Sequence, residues 1–216
     1  MLDDKQLKQS VLAELAWEPN VAAAHIGVAV QDGVVTLTGH VPGFVERHLA
    51  ETAVGRVKGV RGIAEEMEVR LPFDNRRGDE EIAAAALARL DWDVTVPKDA
   101  IRVTVEQGWV TLEGQVDRHH QKQAAEWDVR GLTGVVGITD KIAIRPAVDP
   151  SNLSDAVTHA LHRSLFYDSR TVTVTARGGE IHLGGTVHSW HDRQVAGDTA
   201  WAAPGATLVV NEIAVI

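Results

Sequence analysis

One strand pattern occurs three times in this chain, and each occurrence begins and ends with glycine. The three segments are residues 33–39 (GVVTLTG), 108–114 (GWVTLEG) and 179–185 (GEIHLGG). The first two lie 75 residues apart, and the third follows after 71 because one loop of the last repeat is four residues shorter. A repeat with this period defines the unit that folds. Chemistry that belongs to the unit should therefore occur three times.

The period divides the 216 residues into three units. We predict three domains, at residues 1–72 (unit 1), 73–147 (unit 2) and 148–216 (unit 3). A domain of about 70 residues buries only ~60% of the surface that its unfolded chain exposes, so each unit is marginally stable alone. We therefore expect neighbouring units to pack against each other.

Charge and hydropathy exclude several classes of function. The net charge is −9, and each unit contributes three more acidic than basic residues. Nucleic acid requires clustered cations to neutralise its phosphates, so we expect no nucleic-acid partner. The same charge disfavours attraction to an anionic bilayer. No apolar run approaches the roughly 18 residues of a membrane span, so no transmembrane segment is expected.

The chain has no cysteine, which excludes disulfides, thiolate metal sites and thiol nucleophiles. Its amino terminus, MLDDK, lacks the basic and apolar segments of a leader peptide. The sequence as written therefore predicts a soluble cytoplasmic protein, and a periplasmic one if a leader has been removed.

Each unit opens with an amphipathic helix. In unit 1, Leu7, Val11 and Leu15 recur every four residues on one face. Polar residues at the helix starts are the candidate N-caps, and these are Asp3 or Asp4, Asp79 and Ser154. An aromatic residue follows each helix at the same place: Trp17, Trp92 and Tyr167. We interpret Trp17 and Trp92 as caps on the core.

Two strands joined by a tight turn come next. Alternating residues such as Ile26, Val28 and Val30 indicate a half-buried strand. The turn ends in glycine, which accepts the positive φ that such turns require: Gly33, Gly108 and Gly179. We expect a second set of glycines to terminate the following strand where the backbone bends or passes close to the next helix: Gly39, Gly114 and Gly185.

A second helix and a third strand complete the unit. Ala50 and Ala53 face inward with their counterparts in the other units, which predicts close packing on the sheet. The candidate C′ residues of this helix are the glycines Gly59, Gly134 and Gly205. The order is α-β-β-α-β. We predict an α+β fold in which each unit is a small three-stranded mixed sheet covered by two helices.

This pattern of valines and glycines resembles the BON domain, a family named from an osmotically inducible bacterial protein and nodulation proteins. The residues that carry the resemblance are Gly33, Gly39, Gly59 and Val60 in unit 1; Gly108, Gly114, Gly134 and Val135 in unit 2; and Gly179, Gly185 and Gly205 in unit 3. Unit 3 departs from the pattern with Ala206 in place of the valine and with Pro204 beside the helix end.

The resemblance implies a binding rather than a catalytic role. Members of the family are associated with osmotic or envelope stress, transport, phospholipid interaction and chaperone-like protection in bacteria. One cytoplasmic relative senses potassium. Family membership is evidence of fold more than of function, so the residues must be weighed as well.

The side chains shared by all three units are glycines and apolar residues, so we predict no catalytic residue, no cofactor and no enzymatic activity. The candidates for binding are three tryptophans, Trp109, Trp127 and Trp190. Trp109 and Trp127 stand where the other units have aliphatic or polar residues, which indicates a contact surface on unit 2. The contact could be a neighbouring unit, another subunit or an amphipathic ligand.

Two weaker possibilities involve ions. His182, His188 and His191 lie close in sequence in unit 3 and are weak candidates for a divalent metal site, but solvated histidines on a loop and helix start are the preferred interpretation. Carboxylates at positions 65, 66 and 68, with Asp32, could bind a cation through oxygen ligands. We predict no metal.

The sequence therefore predicts a stress-linked binding or adaptor protein that contacts phospholipid or a protein partner through apolar surfaces. The alternative is a cytoplasmic cation sensor of the potassium type, in which ion binding changes how the units pack. A metal-dependent hydrolase at the histidines of unit 3 is a third and more distant reading.

Overall fold

The computed structural model describes residues 3–145, 152–163 and 171–216. Unit 1 contains α1 (Asp4–Trp17), β1 (Ile26–Gln31), β2 (Val34–Val41), α2 (Phe44–Gly55) and β3 (Gly62–Val69). Unit 2 contains α3 (Asp79–Trp92), β4 (Ile101–Glu106), β5 (Trp109–Val116), α4 (His119–Arg130) and β6 (Gly137–Ile144). Unit 3 contains α5 (Leu153–His162), β7 (Val172–Arg177), β8 (Glu180–Val187), α6 (Trp190–Trp201), β9 (Leu208–Asn211) and β10 (Ala214–Val215). The predicted α-β-β-α-β order is confirmed in all three units.

Each unit has its own mixed sheet with the second strand at its centre. In unit 1, β2 runs antiparallel to β1, with Leu37 opposite Val28, and parallel to β3, with Leu37 beside Glu65. The same pairing recurs in units 2 and 3. Because side chains alternate along a strand, one face packs on the two helices and the other carries the polar and small residues. The three-stranded mixed sheet covered by two helices is therefore confirmed.

The helix-covered faces form three separate cores. In unit 1, the predicted helix face of Leu7, Val11 and Leu15 is buried against Val35 and Leu37 of the central strand. Equivalent clusters form in unit 2 and, from the described residues, in unit 3. Alanines line the inner face of each second helix, which brings the helix close to the sheet as expected: Ala50, Ala53, Ala125, Ala196 and Ala200.

The turn between the first two strands is held differently from what the sequence suggested. Asp32 and Gly33 both have positive φ, 52° and 77°, as in the primed two-residue turns that match the twist of a hairpin. The side chain of Asp4 does not cap its own helix. Its carboxylate accepts the backbone N–H groups of Asp32 at 2.9 Å and Gly33 at 3.1 Å.

The corresponding aspartate of unit 2 has the same role. Asp4, Asp79 and Ser154 therefore lie inside their helices and are not N-caps, whereas the alternative candidate Asp3 occupies the N-cap position of α1 without a side-chain hydrogen bond. Asp79 accepts the N–H groups of Gln107 at 2.8 Å and Gly108 at 2.9 Å. In unit 3 the equivalent residue is Ser154, whose hydroxyl donates to the carbonyl of Val174 at 3.1 Å. A carboxylate presents two acceptor oxygens and can bind both turn amides, whereas serine has one oxygen.

The glycine late in each second strand does not terminate it, which corrects the prediction. Gly39 lies inside β2, which continues to Val41. A Cβ at Gly39 would lie 2.1 Å from the carbonyl oxygen of His25, and the equivalent contacts in units 2 and 3 are 2.0 and 1.9 Å. The glycine is thus required by the residue that precedes the first strand, and not by the following helix.

The glycine after each second helix is also displaced from its predicted place. The helices end at Gly55, Arg130 and Trp201, so Gly59 and its counterparts lie beyond the C-cap. Gly59 has a φ of 98° in a further turn, in which Val60 N–H bonds the carbonyl of Val57. This turn abuts the hairpin, where Arg61 N–H donates to the carbonyl of Gly33 at 2.9 Å.

The first residue of each second helix packs against the following unit. Phe44, at the start of α2, packs on the core of unit 2. The ring of His119, at the start of α4, stacks on Trp201 at the end of α6, with centroids 4.1 Å apart and planes inclined by 12°. Trp190, at the start of α6, covers Gly55 at the end of α2. The expected packing between units is therefore present.

These contacts use equivalent positions, since Phe44, His119 and Trp190 are separated by the repeat offsets of 75 and 71 residues. A head-to-tail contact that closes after three units generates a ring. The units therefore form a ring with an approximate threefold axis. We name its contacts junction 1/2, junction 2/3 and junction 3/1, after the units that they join.

Candidate binding surfaces

One polar feature that the sequence did not predict recurs in all three units. A cation on the second helix reaches an acidic or amide residue on the third strand, in the pairs Arg47–Glu65, Lys122–Asp140 and Arg193–Asn211. The strand residue also accepts the N–H two residues further on, at 2.8–3.2 Å. Aligning the repeats would have shown the pattern.

These pairs fasten the helix to the edge of the sheet rather than form a reactive site. Lys122 Nζ lies 3.3 Å from Asp140 and donates to the carbonyl of Ile142 at 2.9 Å. Arg193 donates to the carbonyl of Ile213 at 3.0 Å. The hydrogen bonds of each pair are directed at its own unit, so the pair serves the architecture.

Two tryptophans that were expected to cap the core are instead exposed. Trp17 is 85% exposed and Trp92 is 84% exposed, so that interpretation was wrong. Trp17 lies two residues beyond Leu15, or about 200° around the helix, which turns it away from the buried face. The third residue of this set, Tyr167, lies outside the described residues.

The ring relates these two tryptophans to each other. A rotation about an axis leaves the height along that axis unchanged, so Trp17 and Trp92 lie at similar heights on the ring. Val94, which is fully exposed, follows Trp92 in unit 2. The ring thus displays the same large aromatic side chain in equivalent settings on two units.

Trp109 lies on the open face of the sheet of unit 2 and is 43% exposed. Its ring covers Gly137 on the neighbouring strand, where a Cβ would come within 2.4 Å of the ring. Its indole N–H donates to the hydroxyl of Thr139 at 2.8 Å. Units 1 and 3 have Ala64 and Val210 at the position of Thr139, so this arrangement belongs to unit 2.

Trp127 and Trp190 both lie at junctions, and Trp190 contacts a neighbouring unit. Trp190 packs on Gly55, and the guanidinium of Arg193 lies 4.7 Å from the centre of its ring. Trp127 is 66% exposed and forms one wall of a cavity of about 400 Å³ between units 1 and 2. Trp201, the sixth tryptophan, was not singled out from the sequence although it forms half of junction 2/3.

The structure separates the residues of the two candidate ion sites. His182 lies on the open sheet face with Nε2 3.0 Å from Glu180, while His191 is exposed on α6. Glu65 pairs with Arg47 on the helix side, whereas strand alternation directs positions 66 and 68 to the open face. Within residues 3–145, 152–163 and 171–216, no three His, Asp or Glu side chains converge as metal ligands.

Junction 2/3 contains the most strongly perturbed histidine. Burial lowers the pKa of His119 to about 4, and the nearby charge of Lys122 contributes to the shift. Its Nδ1 is buried and has no hydrogen-bond partner among the described residues. The imidazole is therefore neutral at neutral pH, which suits its stacking on the indole of Trp201.

The chain is similar to one curated protein and to two solved structures. The chain is 27% identical over 145 residues to osmotically-inducible protein Y of Escherichia coli (strain K12), which covers 65% of this chain and 72% of the relative. Two solved structures of CdsD, a structural protein of the type III secretion system of Chlamydia trachomatis, match at 15% identity. They cover 96% and 100% of this chain, and 91% and 100% of their own. Their TM-scores of 0.27 are too low to support any argument.

No helix in the described part of the chain is both long and apolar enough to cross a membrane. The BON domain model matches residues 3–70, 78–146 and 149–216. These matches follow the three repeats, and together they span most of the chain. The protein therefore belongs to the BON domain family and carries three BON domains in tandem.

Proposed function

We propose that this protein is a non-catalytic, osmotic-stress-linked binding protein that contacts a phospholipid bilayer through the tryptophans at the ends of α1 and α3. The observation that carries the proposal is the exposure of Trp17 and Trp92, 85% and 84%, at equivalent places on the ring. The similarity to an osmotically inducible protein supports the link to stress.

Tryptophan is suited to this contact because it has a large apolar ring and one polar N–H. Such side chains favour the boundary between water and the acyl region of a bilayer. A single tryptophan gives weak attachment, but two on one body bind with a high effective concentration for the second contact. The ring therefore supplies avidity that one isolated unit lacks.

The charge of the surface limits the kind of bilayer. Glu18 follows Trp17, and Asp91 and Asp93 flank Trp92, in a chain of net charge −9. An anionic membrane would repel these carboxylates. The proposal is therefore for a zwitterionic bilayer, such as one of phosphatidylcholine, with contact driven by apolar burial.

Vesicle flotation with phosphatidylcholine tests the proposal. We expect Trp17→Ala and Trp92→Ala to reduce the bound fraction, and the double variant to abolish binding. The matched control is Trp109→Val, which installs the residue found at that position in unit 1 and should bind like the parent. Circular dichroism would confirm that each variant is folded.

Two results would count against the proposal. One is a parent protein that does not float with the vesicles, and the other is a double variant that floats as well as the parent. Loss of binding in Trp109→Val alone would move the contact to the open sheet face of unit 2.

A further inference from the structure

The cavity at junction 1/2 has an apolar wall contributed by two units. Val45 and Leu49 of α2 face Trp127 of α4 and Leu132, which follows it. Its volume of about 400 Å³ lies in the range of cavities that accept small organic ligands. A small apolar group could therefore bind against this wall, between units 1 and 2.

The other two junctions lack this wall, although they are built from equivalent positions. The positions of Val45, Leu49, Trp127 and Leu132 are occupied at junction 2/3 by His120, Ala124, Asp198 and Ala203, and at junction 3/1 by His191, Val195, Thr52 and Val57. A histidine, a carboxylate or a hydroxyl replaces apolar surface in each case. The apolar cavity is thus a property of junction 1/2 and not of the repeat.

The largely buried side chain of Arg130 lines the same cavity. Only 13% of this side chain is exposed, and its guanidinium lies 5.4 Å from the centre of the Trp127 ring. One Nη pairs with Glu126, but Nε is buried and has no hydrogen-bond partner among the described residues. A buried donor without a partner is costly unless a ligand or water satisfies it.

The other ionisable groups around the cavity carry both signs of charge, and Glu126 already pairs with one Nη of Arg130. Burial and the nearby Arg130 lower the pKa of His48, which is therefore neutral at neutral pH. Burial and the neighbouring Asp93 raise the pKa of Asp128, which also has Arg89 within 4.0 Å. The cavity thus combines an apolar wall with one guanidinium donor, the Nε–H of Arg130, that no described residue accepts.

We propose that junction 1/2 binds an amphipathic carboxylate of the fatty-acid type. Its hydrocarbon chain would pack on Trp127, Leu49 and Leu132, and its carboxylate would accept the free Nε–H of Arg130. A carboxylate fits because charge-assisted hydrogen bonds to arginine are stronger than those to a neutral group. The site goes beyond the proposed bilayer contact and uses none of its tryptophans.

Calorimetric titration of the full chain with sodium decanoate, below its micelle concentration, tests the site against decanol as the uncharged analogue. We expect decanoate to bind about tenfold more tightly than decanol. Trp127→Thr installs the residue of unit 1 at this position and should weaken both ligands. Arg130→Gln should abolish the preference for the acid, while Arg130→Lys, which keeps the charge, should retain part of it.

The controls separate this site from the bilayer contact. Trp109→Val and the double variant of Trp17 and Trp92 should bind decanoate like the parent, because these residues lie outside the cavity. Thermal unfolding would confirm that the Arg130 variants are folded. Equal affinity for decanoate and decanol, no heat with either ligand, or full binding by Trp127→Thr would overturn the assignment.

Discussion

Junctions 3/1 and 2/3 are equivalent contacts between the start of one helix and the end of another, but the larger side chain lies on opposite sides of the two contacts. At junction 3/1 the large residue is Trp190 at the start of its helix, and the end of the facing helix is Gly55. At junction 2/3 the large residue is Trp201 at the helix end, and the smaller imidazole of His119 stacks on it.

The difference shows how a repeated fold can specify the order of its units. If α6 contacted itself in a second copy, Trp190 would meet Trp201, and two indoles would compete for one space. A smaller group faces the indole at both of these junctions, so the arrangement seen here is favoured over one such alternative. The side chains at the junctions, and not the shared backbone, therefore distinguish one unit from another.

The largest effect is expected from filling the small half of junction 3/1. A Cβ at Gly55 would lie 3.0 Å from the Trp190 ring, so Gly55→Leu should overpack the junction and reduce the free energy of unfolding by about 3 kcal/mol. Urea denaturation measures the change. Gly131→Leu is the matched control, because a Cβ at that helix end meets nothing within 4 Å. Equal losses in the two variants would refute the size complementarity.

Acid should destabilise junction 2/3. The pKa of His119 is about 4 in the folded protein against 6.5 in the unfolded chain, so the unfolded state takes up a proton first as the pH falls. The contribution of neutral His119 to the free energy of unfolding is fully present above pH 6.5 and should be lost as the pH falls from 6.5 to about 4. We expect a loss on the order of 2 kcal/mol after allowance for partial exposure.

Thermal unfolding across this pH range measures the loss. His119→Phe, which introduces the residue of unit 1 at this position, keeps an aromatic ring and removes the titration. Its stability should depend less on pH than that of the parent. An unchanged pH dependence would assign the acid sensitivity to other groups.

The smallest effect is expected from trimming the large half of junction 3/1. Trp190→Phe also installs the residue of unit 1, and the smaller ring leaves a gap over Gly55. We expect a loss of about 1 kcal/mol, since the site is partly open and can relax. Chemical denaturation would detect this loss. A variant as stable as the parent would show that the indole contributes no more to stability than a phenyl ring does.

Local features of the fold could be predicted from the sequence because their causes are local. The hairpin at Asp32 and Gly33 follows from backbone conformation, and the helix face at Leu7, Val11 and Leu15 follows from periodicity. Features that depend on distant residues were misassigned or missed. The requirement for Gly39 comes from the carbonyl of His25, which no local pattern reveals.

The binding surfaces were predicted less well than the fold. Trp17 was assigned to the core although its angular distance from Leu15 already placed it on the opposite face. The junctions could not be foreseen, because Trp190 and Gly55 lie far apart in the chain and the repeat does not say which unit follows which. The cavity beside Trp127 depends on that arrangement, and so does its guanidinium.

The divided third strand of unit 3 has a mechanical consequence. Units 1 and 2 each have an unbroken third strand of eight residues, whereas β9 and β10 contribute four and two. Fewer ladder bonds lower the cost of local opening, and amide hydrogen exchange should be fastest along this edge. Unit 3 contacts both of its neighbours. Its local opening would therefore break junctions 2/3 and 3/1 together and leave units 1 and 2 joined only by junction 1/2.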